Sequence, residues 1–463
     1  MKFWKTLNQY LLWVTLFVLP WQTRYLIKPV YLEDSFVEYA STSVYLTDLL
    51  IIALLIIWLP LLIREKKFKL GPKFLFWSLA IFIAWIWISV TWASSINVDY
   101  WLSVWTAAKF TLFSFFYLYL INNVKNLREL VLPIGCGVAF QGILALGQYF
   151  SNSSLGLKWI GESVLDPKIS GIPVVMIEGV RQLRAHGSLP HANILGGFLA
   201  VALIILSAGF YSLKKYWRHY FILGACIIGG WGLLLSFSRS AWLVYLLAVL
   251  LLGIWMWYKQ PKKFKAAIFY NLLMALAIAV LAIGQYKAVI PRFDFNQPLE
   301  QISVTSRLQQ WSDFKTIYSK YPILGIGIGQ YIPYLQELNK ENQGWHYRSD
   351  LMGWVYNPGN ETGMYEPVHN IFLLILIELG IVGLIIFMSI IISVLCLTAN
   401  TIRYRPLLGG TIFLAWSSIL LLGMIDHYIW TLQQGRLLWF VVLALMVIVS
   451  LRSRYNKKVN KIT

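Results

Sequence analysis

QISVTSRLQQWSDFKTIYSKYPILGIGIGQY (301–331) and EPVHNIFLLILIELGIVGL (366–384) bracket the stretch in which this chain passes from a polar loop into an apolar helix. The apolar run that opens at Ile371 continues to about residue 397, the length of a bilayer span rather than of an ordinary core helix. Upstream, Thr305 and Ser306 suit a helix N-cap, and Leu308, Trp311, Phe314 and Tyr318 follow at helical spacing. Arg307 lies four residues before Trp311, so its guanidinium is expected on that apolar face near the helix N-terminus. A cation there opposes the helix dipole unless an anion sits alongside. Pro367 suits a first helical position, which predicts His369 in the first turn of the next helix, as a neutral imidazole able to accept a proton.

Composition agrees with a membrane solvent. Of 463 residues, 58% are hydrophobic, 16% aromatic and only 13% charged, with a mean hydropathy of +0.64. The net charge of +19 does not indicate nucleic acid, because Lys and Arg fall between apolar runs rather than on one soluble face. Apolar segments at about 7–27, 45–63, 74–92, 104–121, 130–150, 194–211, 221–237, 241–258, 266–283, 371–397, 407–425 and 437–451 predict an all-α polytopic membrane protein. The expected count is about twelve transmembrane helices. The connections REKKFKLGPK, NNVKNLR, YSLKKYWRHY, YKQPKKFK and NTIRYRP and the tail LRSRYNKKVNKIT alternate along the chain and are basic. The positive-inside rule makes them cytoplasmic, with both termini. Two long loops, 151–191 and 284–367, then face outward, the second partly helical, within one integral membrane domain over 1–463. MKFWK and the run after it read as a retained signal-anchor helix, because no small-residue cleavage site follows Leu19. Cys136, Cys226 and Cys396 lie in predicted spans and read as packing residues, not as a disulfide or metal framework.

Ser306-Arg307, Trp311, Tyr321-Pro322-Ile323-Leu324-Gly325-Ile326-Gly327, His369-Asn370 and Glu378-Leu379-Gly380-Ile381-Val382-Gly383-Leu384 together resemble the O-antigen ligase and polymerase superfamily, with 301–384 as the signature region. The resemblance implies a GT-C-like, metal-independent glycosyltransferase of the bacterial inner membrane that needs no cofactor. It implies transfer of a glycan from a polyprenyl-pyrophosphate-linked donor to a hydroxyl of a glycolipid or glycan acceptor at the extracytoplasmic face, among membrane lipids. Ligase and polymerase share donor and motif, and a polysaccharide transporter or flippase is the alternative of another class. Against transport, no paired half-repeats stand out, and the charges gather at one face.

Transfer from a pyrophosphate needs the leaving charge stabilised and the acceptor hydroxyl deprotonated. With 20 acidic residues in the chain and few together on the outer face, a carboxylate-held metal is not expected, and arginine forks take its place. Arg239, in the tight SFSRSAW turn, has no Asp or Glu near it in sequence, and the resemblance places an essential arginine there. Arg239 and Arg307 are therefore the expected pyrophosphate ligands, Arg184 and Lys109 their assistants, and His369 the group that orients or deprotonates the acceptor. Arg184, Gly187, Pro190, His191 and Asn193 resemble a family pattern before a span, and His186 with His191 lacks a third ligand in zinc spacing. His191, Asn370 and Asp426 are supporting candidates. For Lys109 the alternative is a structural ion pair or snorkelling, and for Asp426 a pairing with Arg436 or Arg239. Glu378, half a turn out of phase with His369, reads as a carboxylate of a packing network. The Gly325–Gly329 run lacks the Lys-Ser or Lys-Thr of a nucleotide loop and reads as a backbone bend. His346 and Arg348 read as solvated loop residues, and Asn152-Ser153-Ser154 and Asn360-Glu361-Thr362 match the glycosylation tripeptide, a pattern frequent by chance.

Overall fold

The computed structural model describes residues 2–32, 35–65, 68–93, 99–169, 171–210, 216–294, 298–341, 345–348, 353–356 and 366–459, so the tripeptide 360–362 lies outside the described residues. The helices in chain order are α1 Lys2–Phe17, α2 Leu46–Glu65, α3 Lys73–Ala93, α4 Tyr100–Asn123, α5 Arg128–Ser151, α6 Ala192–Phe210, α7 Tyr216–Leu235 and α8 Arg239–Lys259. They continue as α9 Pro261–Gly284, α10 Tyr286–Val289, α11 Pro298–Lys320, α12 Tyr331–Glu341, α13 Ile371–Tyr404, α14 Pro406–Gly423, α15 Tyr428–Thr431 and α16 Gln433–Val459. Sheet is confined to short antiparallel pairs, among them Arg24–Lys28 with Thr42–Tyr45 and Val174–Ile177 with Val180–Leu183. Among the described residues ten helices are long and apolar enough to cross a membrane. The number is eleven if Ile268–Gly284 and Tyr286–Phe293, bent by 85°, form one span. The chain is an all-α polytopic membrane protein.

Three local expectations are corrected by the structure. The first apolar run does not make one long helix: α1 stops at Phe17, before Pro20, and the chain is a strand again at Arg24. Its sixteen residues reach about 24 Å, short of the roughly 30 Å of a hydrocarbon core. Thr305 and Ser306 are not caps, because α11 already starts at Pro298, a residue suited to that place. Arg307 is thereby two turns inside, where the helix dipole hardly acts. The buried stripe of α11 is Gln310, Phe314 and Ile317, while Leu308 and Trp311 are half exposed. His369 likewise precedes α13 instead of opening it. Asn370 is the N-cap, its side chain accepting from the N–H groups of Phe372 and Leu373 at 2.9 and 3.1 Å.

The two halves of the quoted stretch are fastened to one another through backbone. Gly380 inside α13 has φ 67° and ψ −175°, which breaks the helix and releases carbonyls that lipid could not satisfy. The segment after α11 satisfies them: Ile326 N–H donates to Ile377 O and Gly327 N–H to Glu378 O, both at 2.9 Å, while Ile381 N–H donates to Pro322 O at 3.0 Å. A Cβ on Gly380 would stand 2.0 Å from Ile323 O, and one on Gly325 2.5 Å from Ile377 O. The approach therefore requires glycine on both sides. Further along, Ile328 N–H donates to Ser89 Oγ, and Gln330 Nε2 to Asp99 O and Ser103 Oγ, which seats the loop against α3 and α4. The Gly325–Gly329 run is thus a backbone bend.

At the centre of the bundle are α6 and α16, each 89% buried along its apolar window. Connections collect at one end. Ser188 Oγ donates to Pro20 O, Thr23 Oγ1 to Trp159 O, Gln434 Nε2 to Trp21 O and Lys287 Nζ to Glu178. The loop before α6, the α7–α8 turn, the residues before α13 and those after α14 all open on this face.

Candidate active site

The site is assembled where four connections meet, and His369 is its best-defined group. The His369 N–H donates to Gln310 Oε1 at 3.2 Å, and Nδ1 lies 2.8 Å from the same oxygen. A backbone N–H can only donate, so that atom of Gln310 is an acceptor and Nδ1 must carry the ring proton. In the neutral ring Nε2 then carries the lone pair, and it lies 3.9 Å from Glu366 Oε2. Asn370 Nδ2 donates to Met424 O at 3.1 Å, which binds the start of α13 to the end of α14.

After α14 come Asp426 and His427. The His427 ring stands 5.0 Å from that of His369 at 78°, and 5.0 Å from Tyr39 on its other side at 87°. Its Nδ1 is 2.9 Å from Thr431 Oγ1. Asp426 Oδ1 accepts from the His427 N–H at 2.8 Å, and Oδ2 faces Asn193 Nδ2 at 3.4 Å. Asn193 carries the network on: its Oδ1 accepts from Arg184 Nη2 at 2.6 Å, and its N–H donates to His191 Nδ1 at 3.1 Å. Arg184 Nε donates to Ser236 O at 2.9 Å, three residues before Arg239. One continuous polar chain thus runs from Gln310 and His369, past His427 and Asp426, to Arg184 and the α7–α8 turn.

Burial and charge set the protonation states. Burial alone raises the Asp426 carboxyl, but His369, His427 and His191 around it outweigh this and hold it below the usual carboxylate range. Burial, and then His369, push His427 down to about 3 against the pull of Asp426. His191 falls well below the ordinary histidine value by burial and then the neighbouring His186 and Arg184, and His186 falls to about 3 by burial and then Arg184. The cluster is therefore an ionised carboxylate beside the neutral rings of His427, His191 and His186. Among the described residues, His369, Asp426 and His427 each offer a ligand atom within 4.8 Å of the others, a group that could hold a metal ion.

Of the residues singled out in the sequence, the structure brings His369, Asn370, Asp426, His191 and Arg184 into this network. Arg239 begins α8 in the turn joined to Arg184 through Ser236, and its Nη1 donates to Arg292 O at 2.9 Å. Arg307 is exposed one helical turn before Gln310, on the side of α11 that reaches His369. Lys109 is apart from them. Its ammonium is paired with Asp48, lies 5.1 and 5.2 Å from the Tyr45 and Trp105 ring centres, and Asp48 also accepts from Gln433 Nε2 at 2.7 Å. Arg436 turns to the carbonyls of Trp430 and Thr431, not to Asp426. Glu378 is buried and accepts from Trp430 Nε1 at 2.8 Å, in a packing network. Gln310 and His427 had escaped the sequence reading as site residues, and Asn193 was named only within the pattern around Arg184. The available signal was weak: Gln310 follows Arg307 by one helical step, and His427 follows Asp426 directly.

Residues 224–388, from α7 into α13, match the family model described as O-antigen ligase. The matched segment takes in Arg239, Arg307, Gln310, His369 and Asn370, and leaves Arg184, His191 and Asp426 outside. No curated relative matches the chain.

Proposed function

We propose, from the premise that this chain is a member of the O-antigen ligase family through residues 224–388, that it transfers a glycan from a polyprenyl-pyrophosphate carrier to an acceptor hydroxyl. The family consists of ligase- and polymerase-type glycosyltransferases, and the donor, the residue roles and the stereochemistry are what the proposal adds. The observation that carries it is the imidazole of His369, with Nδ1 tied to Gln310, Nε2 free of that bond, and the ring clustered with an ionised Asp426. Such a group can take a proton from a hydroxyl, and the carboxylate then stabilises the imidazolium. The acceptor O–H proton passes to Nε2 and the oxygen attacks the anomeric carbon. The bond from that carbon to the phosphate oxygen breaks, its electron pair leaves with the pyrophosphate, and the anomeric centre inverts.

Arg239 and Arg307 are assigned to the leaving pyrophosphate, and Arg184, held by Asn193 and Ser236, supports the near side of the site. Lys109 takes no part in this scheme, because its charge is matched by Asp48. The site faces the extracytoplasmic side of a bacterial inner membrane, where the lipid-linked donor arrives already activated.

Radiolabelled lipid-linked glycan presented to the purified chain in detergent, with no ion gradient, tests the scheme. His369→Ala is expected to lose about 10²–10⁴-fold in turnover, the usual worth of a general base. Arg307→Ala is expected to lose turnover as strongly, and Gln310→Leu, which frees the ring tautomer, to lose less. Turnover by His369→Ala near the wild-type rate removes the base from the mechanism.

A further inference from the structure

The scheme above gives His427 no task, yet its imidazole, that of His369 and the Asp426 carboxylate all point at one volume. We propose that His369, Asp426 and His427 form a binding site for a divalent transition-metal ion of the zinc class. The ion, when bound, takes the His369 nitrogen that otherwise receives the acceptor's proton, so metal and transfer exclude each other.

The donor set selects the class of ion. Two imidazoles and one carboxylate suit zinc and its first-row neighbours, whereas magnesium and calcium prefer oxygen alone. The outer partners are those of a ligand histidine. Gln310 Oε1 holds Nδ1 of His369 at 2.8 Å, and Thr431 Oγ1 holds Nδ1 of His427 at 2.9 Å. Thr431 donates its own hydroxyl proton to His427 O at 3.2 Å, so its lone pairs are turned to the imidazole N–H. Each ring is thereby fixed in one tautomer with Nε2 as the free electron pair, as outer partners do for metal-bound histidines. Asp426 and His427 are buried at 8% and 4% exposure, and the bond from the His427 N–H to Asp426 Oδ1 holds the two side by side.

Ligand atoms around a tetrahedral zinc lie about 3.3 Å apart, given metal distances near 2 Å. The present spread, within 4.8 Å, closes with side-chain movements of about 1 Å. Glu366, whose Oε2 is 3.9 Å from His369 Nε2, or a water fills the fourth position.

The metal site stands on these contacts alone, while its effect on turnover rests on the base role proposed for His369. Metal-free full-length protein in detergent is dialysed against ZnCl2 and the bound zinc counted by mass spectrometry. One zinc per chain is expected, with affinity reduced at least tenfold in both His427→Ala and Asp426→Asn. X-ray absorption at the zinc edge of the wild-type protein, which needs no variant to fold, is expected to show two imidazoles and oxygen ligands. Absence of stoichiometric zinc, a spectrum without imidazole, or wild-type affinity in the two variants overturns the site. Glycan transfer is then measured with and without zinc, and chelator is expected to restore what zinc removes. Zinc bound at the cluster with transfer unimpaired leaves the site standing and overturns the exclusion, while loss of turnover in His369→Ala together with no zinc bound by the wild-type protein leaves the base role standing and overturns the site.

Discussion

At the scale of single residues, the buried histidines give the protein a defined sensitivity to acid. His186 and His427 have folded values near 3, against about 6.5 for the unfolded chain. Between those values the unfolded state binds protons that the folded state refuses, so stability rises with pH across the window and falls on acidification. Asp426, held below its ordinary value, adds in the same direction at the acid end, since its stabilisation is lost as pH falls through its folded value. At pH 5 each histidine costs about 2 kcal/mol relative to pH 7. Thermal unfolding of the detergent-solubilised protein is expected to show a midpoint that drops steeply from pH 7 to pH 4, and a shallower drop in His186→Gln. A midpoint flat across that range would mean that these rings are solvated. Little of this was readable from the sequence. His369, Asp426 and Arg184 stand out as polar groups at the ends of apolar runs, but Gln310 and His427 differ from dozens of other polar residues only by what they touch. No metal was expected because acidic residues are few, and His369 and the Asp426-His427 pair lie in separate connections with no ligand spacing along the chain.

Among the elements, the broken helix α13 and the glycine loop after α11 depend on one another. The Gly380 backbone occupies a region of φ and ψ that only glycine enters without strain of about 1–3 kcal/mol, and a methyl group there also meets Ile323 O at 2.0 Å. Gly380→Ala is therefore expected to lower the unfolding midpoint sharply or to prevent a monodisperse preparation, as judged by size-exclusion chromatography. Gly253→Ala in α8 provides the contrast. A Cβ there meets nothing within 4 Å, and removing a helical glycine is worth up to about 1 kcal/mol in favour of the fold. Equal behaviour of the two variants would show that the interlock carries no stability. The sequence shows the bend, through glycines spaced at every second position, but not its partner, because a break in α13 leaves no mark in an apolar run whose glycines look like ordinary packing residues. Helix starts were misread for a related reason. Thr305 and Pro367 are good starting residues, and Pro298 and Asn370 are better placed ones; the choice among them is made by contacts beyond the local window.

For the whole molecule, the question is which face of the membrane receives the site. Apolar length and basic connections made the class of fold legible, while α1 and the bent segment after α9 show why a count of spans was not: α1 stops at Phe17, short of a bilayer's depth, and α9 is followed across an 85° bend by Tyr286–Phe293. Although α1 is short, Lys5 near its start pairs with Glu65 at the far end of α2, and Pro20 and Trp21 just beyond it bond to Ser188 and Gln434 on the site face. The last helix runs the same course in reverse, since Gln433 at its start donates to Thr47 and Asp48 at the start of α2. The first and last helices thus both have their outer ends on the face opposite the site, together with basic residues such as Lys69, Arg128 and Arg403. Short basic connections are retained in the cytoplasm, whereas long loops cross largely regardless of charge, so the site is expected to face outward despite its arginines. A single cysteine placed at Lys158, exposed in the loop before α6, is expected to react with a membrane-impermeant maleimide in intact cells. One placed at Lys69, exposed between α2 and α3, is expected to react only after permeabilisation. The reverse pattern would put His369 and the arginines on the nucleotide-rich side of the membrane, where a carrier-linked donor has no need to be the source of activated sugar.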